Sequence, residues 1–212
     1  MGNLLNKPVI ILSGGGHASV LIEILRLIDA DIIGIVDPFL EEGIKVKDIT
    51  VIGSDDAVLN YPNSEVMLVN ALGPLPKKST REALSTKFIN LGYQFLTLIH
   101  PRAYVAQSAR IEDGAQIRAG ALVQAQSRIG RLSVVNSGAI IEHDCSVGDH
   151  AHIAPGAILC GGVQAAERVF IGSGAVVLEN TCLGANSVLA AGVTLRKDLV
   201  ENEVFYGHQI VT

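Results

Sequence analysis

Two architectures follow one another in this sequence, an α/β unit over roughly the first hundred residues and then a coil of short parallel strands. Three observations predict this order. A β-rich apolar run, a glycine-rich turn and an amphipathic segment succeed one another between Val9 and Leu27. From Val105 an aliphatic residue recurs at every sixth position as far as Leu195. Aromatic residues make up only 4% of the chain, with no tryptophan, which suits a core too narrow for them.

The period of six is the stronger signal. Of the sixteen positions in the series Val105, Ile111, Ile117 and onward to Leu195, fifteen are Val, Ile or Leu, and Ala165 is the exception. Small residues follow four places later, as at Ala109, Ala115, Ala121, Ser127, Ser133 and Ala139. Glycine follows the aliphatic directly at Gly130, Gly148, Gly172 and Gly184. An α-helix does not sustain period six, and a simple strand gives period two. A coil of parallel strands does, with one inward aliphatic per flat face, small residues at the tight turns and a continuous core down the stack. Ala165 hints at a local irregularity in the coil.

In the first half, Val9–Leu12 reads as a strand and Ala18–Leu27 as a helix with Glu23 and Arg26 outward. Between them lies Ser13-Gly14-Gly15-Gly16-His17. Strand, glycine-rich turn and helix N-terminus together form a cradle of backbone N–H groups for phosphate. A second strand, Ile32–Val36, ends at Asp37, about where a nucleotide-binding βαβ unit sets a carboxylate against a ribose. A third strand is predicted at Val66–Val69 and a second helix over Ser79–Leu91. The unit reads as Rossmann-like. Its glycine run continues His17-Ala18-Ser19, without the third glycine of the dinucleotide fingerprint. That departure and the shortness of the unit favour a mononucleotide or nucleotide sugar over NAD.

Composition narrows the functional classes. A formal charge of -5 argues against a nucleic-acid binder. Mean hydropathy is +0.39, yet no apolar run approaches the ~20 residues of a membrane span. The segment Val9–Leu12 is too short for a signal peptide. Cys145, Cys160 and Cys182 form no CxxC pair and leave an odd thiol, which fits a reducing compartment and packing roles. A soluble, cytoplasmic protein without a metal centre is expected.

Against the repeat stand Asn136, Glu142-His143-Asp144 and His152. Group transfer to an amine or hydroxyl needs a base for the attacking group, and a donor for any oxyanion that develops. Histidine suits the first task, and a neighbouring carboxylate fixes its tautomer and raises its basicity. Asp144 is that neighbour, with Glu142 as a competitor, provided the stretch lies at a corner of the coil. His150 and His208 read as surface residues.

Across residues 100–196 the pattern resembles the hexapeptide-repeat proteins with a left-handed parallel β-helix. That resemblance implies about five triangular coils of three hexapeptides each, a homotrimer with sites between subunits, and in most members acyl-CoA-dependent transfer. With 18 residues to an unbroken coil, Gly161 stacks over His143, leaving room for a thioester and exposing a backbone N–H for its oxyanion. Gly14-Gly15-Gly16-His17, Val36-Asp37, Ile99-His100-Pro101 and Ile141-Glu142-His143-Asp144-Cys145 together resemble one subfamily. It comprises bacterial N-acetyltransferases of UDP-4-amino-4,6-dideoxy sugars, as in the bacillosamine pathway, with the sialic acid O-acetyltransferases as close relatives. The resemblance implies a Rossmann-like nucleotide-sugar subdomain over 1–98, the β-helix over 99–196 and a C-terminal tail over 197–212.

By the same resemblance His143 is the general base, and Asp144 the acid that strengthens it. Asn136, His152, Gly161, Ser173 and Ala191 are implied to bind acetyl-CoA as co-substrate, with no metal required. Gly14, Gly15, Gly16, His17, Asp37 and Gly73 are implied to hold the UDP-amino sugar. Arg196 and Lys197 are candidates for the CoA phosphates. The tail departs from the family, reading Val204-Phe205-Tyr206-Gly207-His208-Gln209 where many relatives have Gly-x-Pro-Ala. Three other readings stay open: O-acetylation of sialic acid or another sugar, a non-catalytic β-helix trimer, and a carbonic-anhydrase-like metal trimer.

Overall fold

The computed structural model describes residues 7–207. The chain forms two compact units, Met1–Pro74 with Lys78–Leu96, and Leu75–Lys77 with Thr97–Thr212.

The first unit is built on a five-stranded sheet. Its strands are β1 (Val9–Leu12), β2 (Ile32–Val36), β3 (Lys45–Val46), β4 (Ile49–Gly53) and β5 (Met67–Asn70), in the order β3-β4-β2-β1-β5. β1 runs parallel to both β2 and β5, and β2 parallel to β4, so only the short β3 is antiparallel. All four residues of β1 are buried, as a strand covered on both faces requires. Helix α1 (Gly16–Leu27) buries Ala18, Leu21, Ile22, Ile24 and Leu25 and turns Glu23 and Arg26 outward, paired at 3.3 Å. It starts two residues earlier than the apolar periodicity suggests, because Gly16 and His17 enter its first turn. Helix α2 (Thr80–Asn90) and β5 lie within a residue of their predicted bounds. The β3–β4 hairpin is absent from the sequence reading. Its turn residues, Lys47 and Asp48, adopt φ of 50° and 67° without a glycine to announce them.

The second unit is a three-sided parallel β-helix. Two-residue strands stack into faces of six, five and seven strands, and as far as Leu195 each rung pairs with one 18 residues on, as Ile141 with Leu159, the last turn being two residues shorter. The sixfold aliphatics point inward, and from Ile117 to Leu195 nearly all are fully buried. Each contributes about 1.5–3 kcal/mol by leaving water. Ala165 stands in register between Val147 and Leu183, so the coil passes through it without the expected irregularity. At the corners a left-handed residue recurs at the same period: Gly138, Asp144, His150, Gly156, Gly162. The small residues predicted at the turns sit one place after it, facing the core, as Ala139, Cys145, Ala151 and Ala157 do. The coil begins at Leu98–Ile99 and extends past 196, where Leu199 bridges Leu183 and Val204–Phe205 pairs with Val188–Leu189. His208 and Gln209 lie outside the described residues. His150 is half-buried rather than a free surface side chain. No helix among the described residues is long and apolar enough to cross a membrane.

Candidate active site

Chain order creates the first candidate region. From β1 the chain crosses to β2 on one side, while β5 joins on the other, so the carboxyl end of β1 is a topological switch point where α/β sheets bind ligands. Gly14–His17 leave β1 there, Asp37 leaves β2, and Ala71–Gly73 leave β5. A Cβ on Gly73 would stand 3.8 Å from that of His17, so the two predicted substrate residues meet. Gly15 and Gly16 are exposed, and the first turn of α1 carries neither a side-chain cap nor an acidic residue. An anion there would meet the positive end of the α1 dipole, with no acidic residue in that first turn to oppose it. Asp37, only 7% exposed, turns inward to the chain. Its Oδ2 accepts from the Gly14 N–H at 2.8 Å, and its Oδ1 accepts from the Phe39 N–H at 2.9 Å. The sequence reading missed Asn70, which binds Arg81 O and Ser85 Oγ and receives the Leu72 N–H, fixing the Ala71–Gly73 turn against α2.

In the second unit the corner after Ile140–Ile141 carries His143 and Asp144. Strand neighbours point apart, but Asp144 has φ 61°, and this left-handed turn brings its Oδ2 to 2.8 Å from His143 Nδ1. A carboxylate only accepts, so Nδ1 carries the proton and Nε2 is left as the basic atom. The hydrogen bond to Asp144, reinforced by the charges of Asp144 and Glu142, raises the His143 pKa above its ordinary value of 6.5. Gly161 lies on the next coil over this ring. A Cβ there would come within 2.7 Å of Cε1 and Nε2, so only glycine leaves the imidazole its place.

The preceding corner, after Val134–Val135, gathers a second group. Asn136 is 8% exposed, and its Oδ1 accepts from Arg118 at 3.1 Å and from the Ser137 N–H at 2.8 Å. Arg118 was not singled out from the sequence, although it lies one 18-residue step before Asn136. Burial lowers its pKa to about 10, which leaves it charged at neutral pH. Higher on this corner, Ser173 and Ala191 line a cavity of about 470 Å³ together with Phe170, Gly172, Ala190 and Tyr206. His152, on the adjoining face, stacks on Phe170 at 4.8 Å between ring centroids.

The predicted residues thus fall into three groups. His143, Asp144 and Gly161 converge at one corner. Asn136, Ser173 and Ala191 share the corner before it, with His152 beside them. One side of a coil separates the two corners, roughly 15–20 Å at the rise of a strand. The third group, Gly14–His17, Asp37 and Gly73, belongs to the first unit. Arg196 and Lys197 are exposed on the His143 corner, since Lys197 is three steps of 18 residues from His143. Burial raises the thiol pKa of Cys145 to about 11 and also raises that of Cys160, which keeps both as thiols at neutral pH. Among the described residues no group of His, Cys, Asp and Glu is arranged to hold a metal ion.

Fold and side-chain constellation define an acyltransferase of the hexapeptide-repeat class. Residues 8–88 match the family model of the PglD N-terminal domain. Over 94% of the chain and 93% of the relative, the structure is similar to PerB from Caulobacter crescentus in complex with CoA and GDP-perosamine, with 34% identity and a TM-score of 0.84. A histidine-to-asparagine variant of perosamine N-acetyltransferase from the same organism, also with CoA and GDP-perosamine, is 33% identical with a TM-score of 0.86 and the same coverage. The acetyltransferase domain of PglB from Neisseria gonorrhoeae, in complex with acetyl coenzyme A, is 28% identical over 94% of this chain and 95% of that one, with a TM-score of 0.85. A comparison with curated protein sequences found no match. The chain belongs to the family of hexapeptide-repeat sugar N-acetyltransferases in which a PglD-type N-terminal domain precedes a β-helix. It is an acetyltransferase that uses acetyl-CoA.

Proposed function

We propose that the protein transfers an acetyl group from acetyl-CoA to the C4 amine of a nucleotide-linked 4-amino-4,6-dideoxy sugar, with His143 as general base. The observation that carries this reading is the His143–Asp144 pair beneath Gly161. In direct transfer the amine nitrogen attacks the thioester carbonyl and its C–N bond forms. The nitrogen gives its proton to His143 Nε2, and the carbonyl oxygen takes up the charge. The Gly161 N–H, used in none of the backbone pairings along this corner, donates to that oxyanion. Collapse breaks the C–S bond, and the imidazolium returns the proton to the departing CoA thiolate. No acyl-enzyme forms.

The cavity beside Ser173 and Ala191 takes the apolar arm of CoA, and Asn136 and His152 lie toward its acetyl end. Lys197 and Arg196 serve its phosphates. A homotrimer accounts for the division of these residues between two corners, because the His143 corner of one subunit would face the Asn136 corner of its neighbour. Gly14–His17 and Gly73 hold the nucleotide sugar, and Asp37 fixes the glycine turn from beneath. UDP is the nucleotide that the sequence motifs imply, whereas PerB was crystallised with GDP-perosamine. O-acetylation of a sugar such as sialic acid would use the same base. The cradle at the N-terminus of α1 favours a nucleotide-linked acceptor over a free sugar.

CoA release, followed with a thiol reagent, tests the reading. UDP-4-amino-4,6-dideoxy sugar, GDP-perosamine and free sialic acid would be offered to wild type and to His143→Ala. Release with a nucleotide amino sugar, reduced roughly 10²–10⁴-fold in the variant, is expected. Release with sialic acid alone would transfer the function to O-acetylation, and an unchanged rate in the variant would remove His143 as base. Sedimentation of the purified protein tests the trimer.

A further inference from the structure

Phe39 is the most exposed of the large apolar side chains among the described residues, at 93%. Its backbone is nevertheless tightly held. Asp37 Oδ1 accepts the Phe39 N–H, while Oδ2 of the same carboxylate accepts the Gly14 N–H and lies 3.4 Å from Ser13 Oγ. Leu40 packs so closely on the glycine turn that a Cβ at Gly14 would meet its Cδ1 at 2.7 Å. The Asp37 N–H is in turn bound to Gly53 O at 3.0 Å. One buried carboxylate therefore ties the phosphate-binding turn to the turn that bears Phe39. The packing of this unit makes no use of the ring, although its backbone position is fixed.

The direction of a nucleotide laid on this edge supplies a use. A diphosphate at the N-terminus of α1 leads its ribose past the end of β2, and the base then extends over the turn after β2. Phe39 stands three residues beyond Val36, the last residue of that strand. We propose that Phe39 is a base-stacking residue, an aromatic platform for the nucleobase of the nucleotide sugar, so that Asp37 positions phosphate cradle and base platform as one piece. This rests on the nucleotide-sugar reading above. Every base offers a π-face, so the platform grips uracil and guanine alike and favours the larger ring.

The sequence contains no tryptophan, so Phe39→Trp places a single indole at the site. Its emission would be titrated with UDP, with GDP and with inorganic pyrophosphate, while calorimetry follows binding of each to wild type. Saturable quenching by a nucleotide, at the concentrations where it binds, and none by pyrophosphate, is expected. In steady-state assays Phe39→Ala should raise KM for the nucleotide sugar about tenfold, and leave kcat and the KM for acetyl-CoA unchanged, with Phe39→Tyr restoring it. Unquenched emission while calorimetry registers nucleotide binding would overturn the stacking and leave the nucleotide-sugar reading intact. Absence of nucleotide binding to wild type would overturn both.

Discussion

The imidazole of His143 lies so close to Gly161 that a methyl group on residue 161 would stand 2.7 Å from both Cε1 and Nε2. The backbone holds the two coils together at the same place, where the Gly162 N–H donates to His143 O at 2.9 Å. The base is therefore seated on the glycine, with Nε2 beside it.

Gly161→Ala should displace that ring without disturbing the coil, because the nearest atoms are the end of a side chain and not backbone. A displacement of about 1 Å costs on the order of 10²-fold in rate. We expect kcat to fall by about that factor while the thermal unfolding midpoint stays within a few degrees of wild type. An active alanine variant would show that the ring works from another rotamer.

Asp144→Asn tests the basicity of His143. The raised pKa means that the imidazole is neutral, and able to take a proton, only above its raised value, so activity falls as pH drops through it. Asparagine keeps the left-handed backbone at this position but removes the charge. The acid limb of the kcat/KM profile should move to lower pH, and the plateau should drop. A plateau that drops with an unmoved limb would assign the titration to another group.

Asn136→Asp separates the amide's two ends. Oδ1 is occupied by Arg118 and by the Ser137 N–H, which leaves Nδ2 as the end available to a ligand. Aspartate would keep both donors and add charge to the Arg118 contact, so the fold should be retained while activity falls at least tenfold through the lost N–H donor. Arg118→Met should instead lower stability by roughly 1–3 kcal/mol, since it leaves Asn136 Oδ1 with one partner. Equal activity in Asn136→Asp and wild type would take the amide N–H out of the reaction.

The β-helix was legible because its signal is arithmetic. Period six fixes the inward residues, three periods fix the coil, and adding 18 to 143 gives Gly161, where the structure places it. The same addition links Arg118 to Asn136, yet it calls attention to a pair only once one member is suspected, so Arg118 was passed over. The His143–Asp144 contact depended on a corner, and the left-handed φ of Asp144 has no signature in an aspartate. The β3–β4 hairpin was hidden for the same reason at Lys47 and Asp48. The glycine turn was legible as a cradle. The inward aim of Asp37 was not, because sequence spacing sets where a carboxylate stands and not which way it turns.

Two glycines of the coil are required for different reasons, and substitution can tell them apart. A Cβ on Gly148 would meet Ala166 C and Glu167 N at 2.5 Å, both backbone atoms of the next coil. Gly148→Ala must push two coils apart and should cost about 2–3 kcal/mol, a fall of roughly 5–10 °C in melting temperature for a domain of this size. A Cβ on Gly156 would have no neighbour within 4 Å, but the residue sits at φ 66°. Its need is conformational, and asparagine already fills equivalent corners at Asn180 and Asn186, with φ of 57° and 58°. Gly156→Asn should therefore be nearly neutral, while Gly148→Asn should be at least as damaging as Gly148→Ala. Thermal melts of the three variants decide it: equal losses at 148 and 156 would mean that coil spacing, rather than corner conformation, governs both positions.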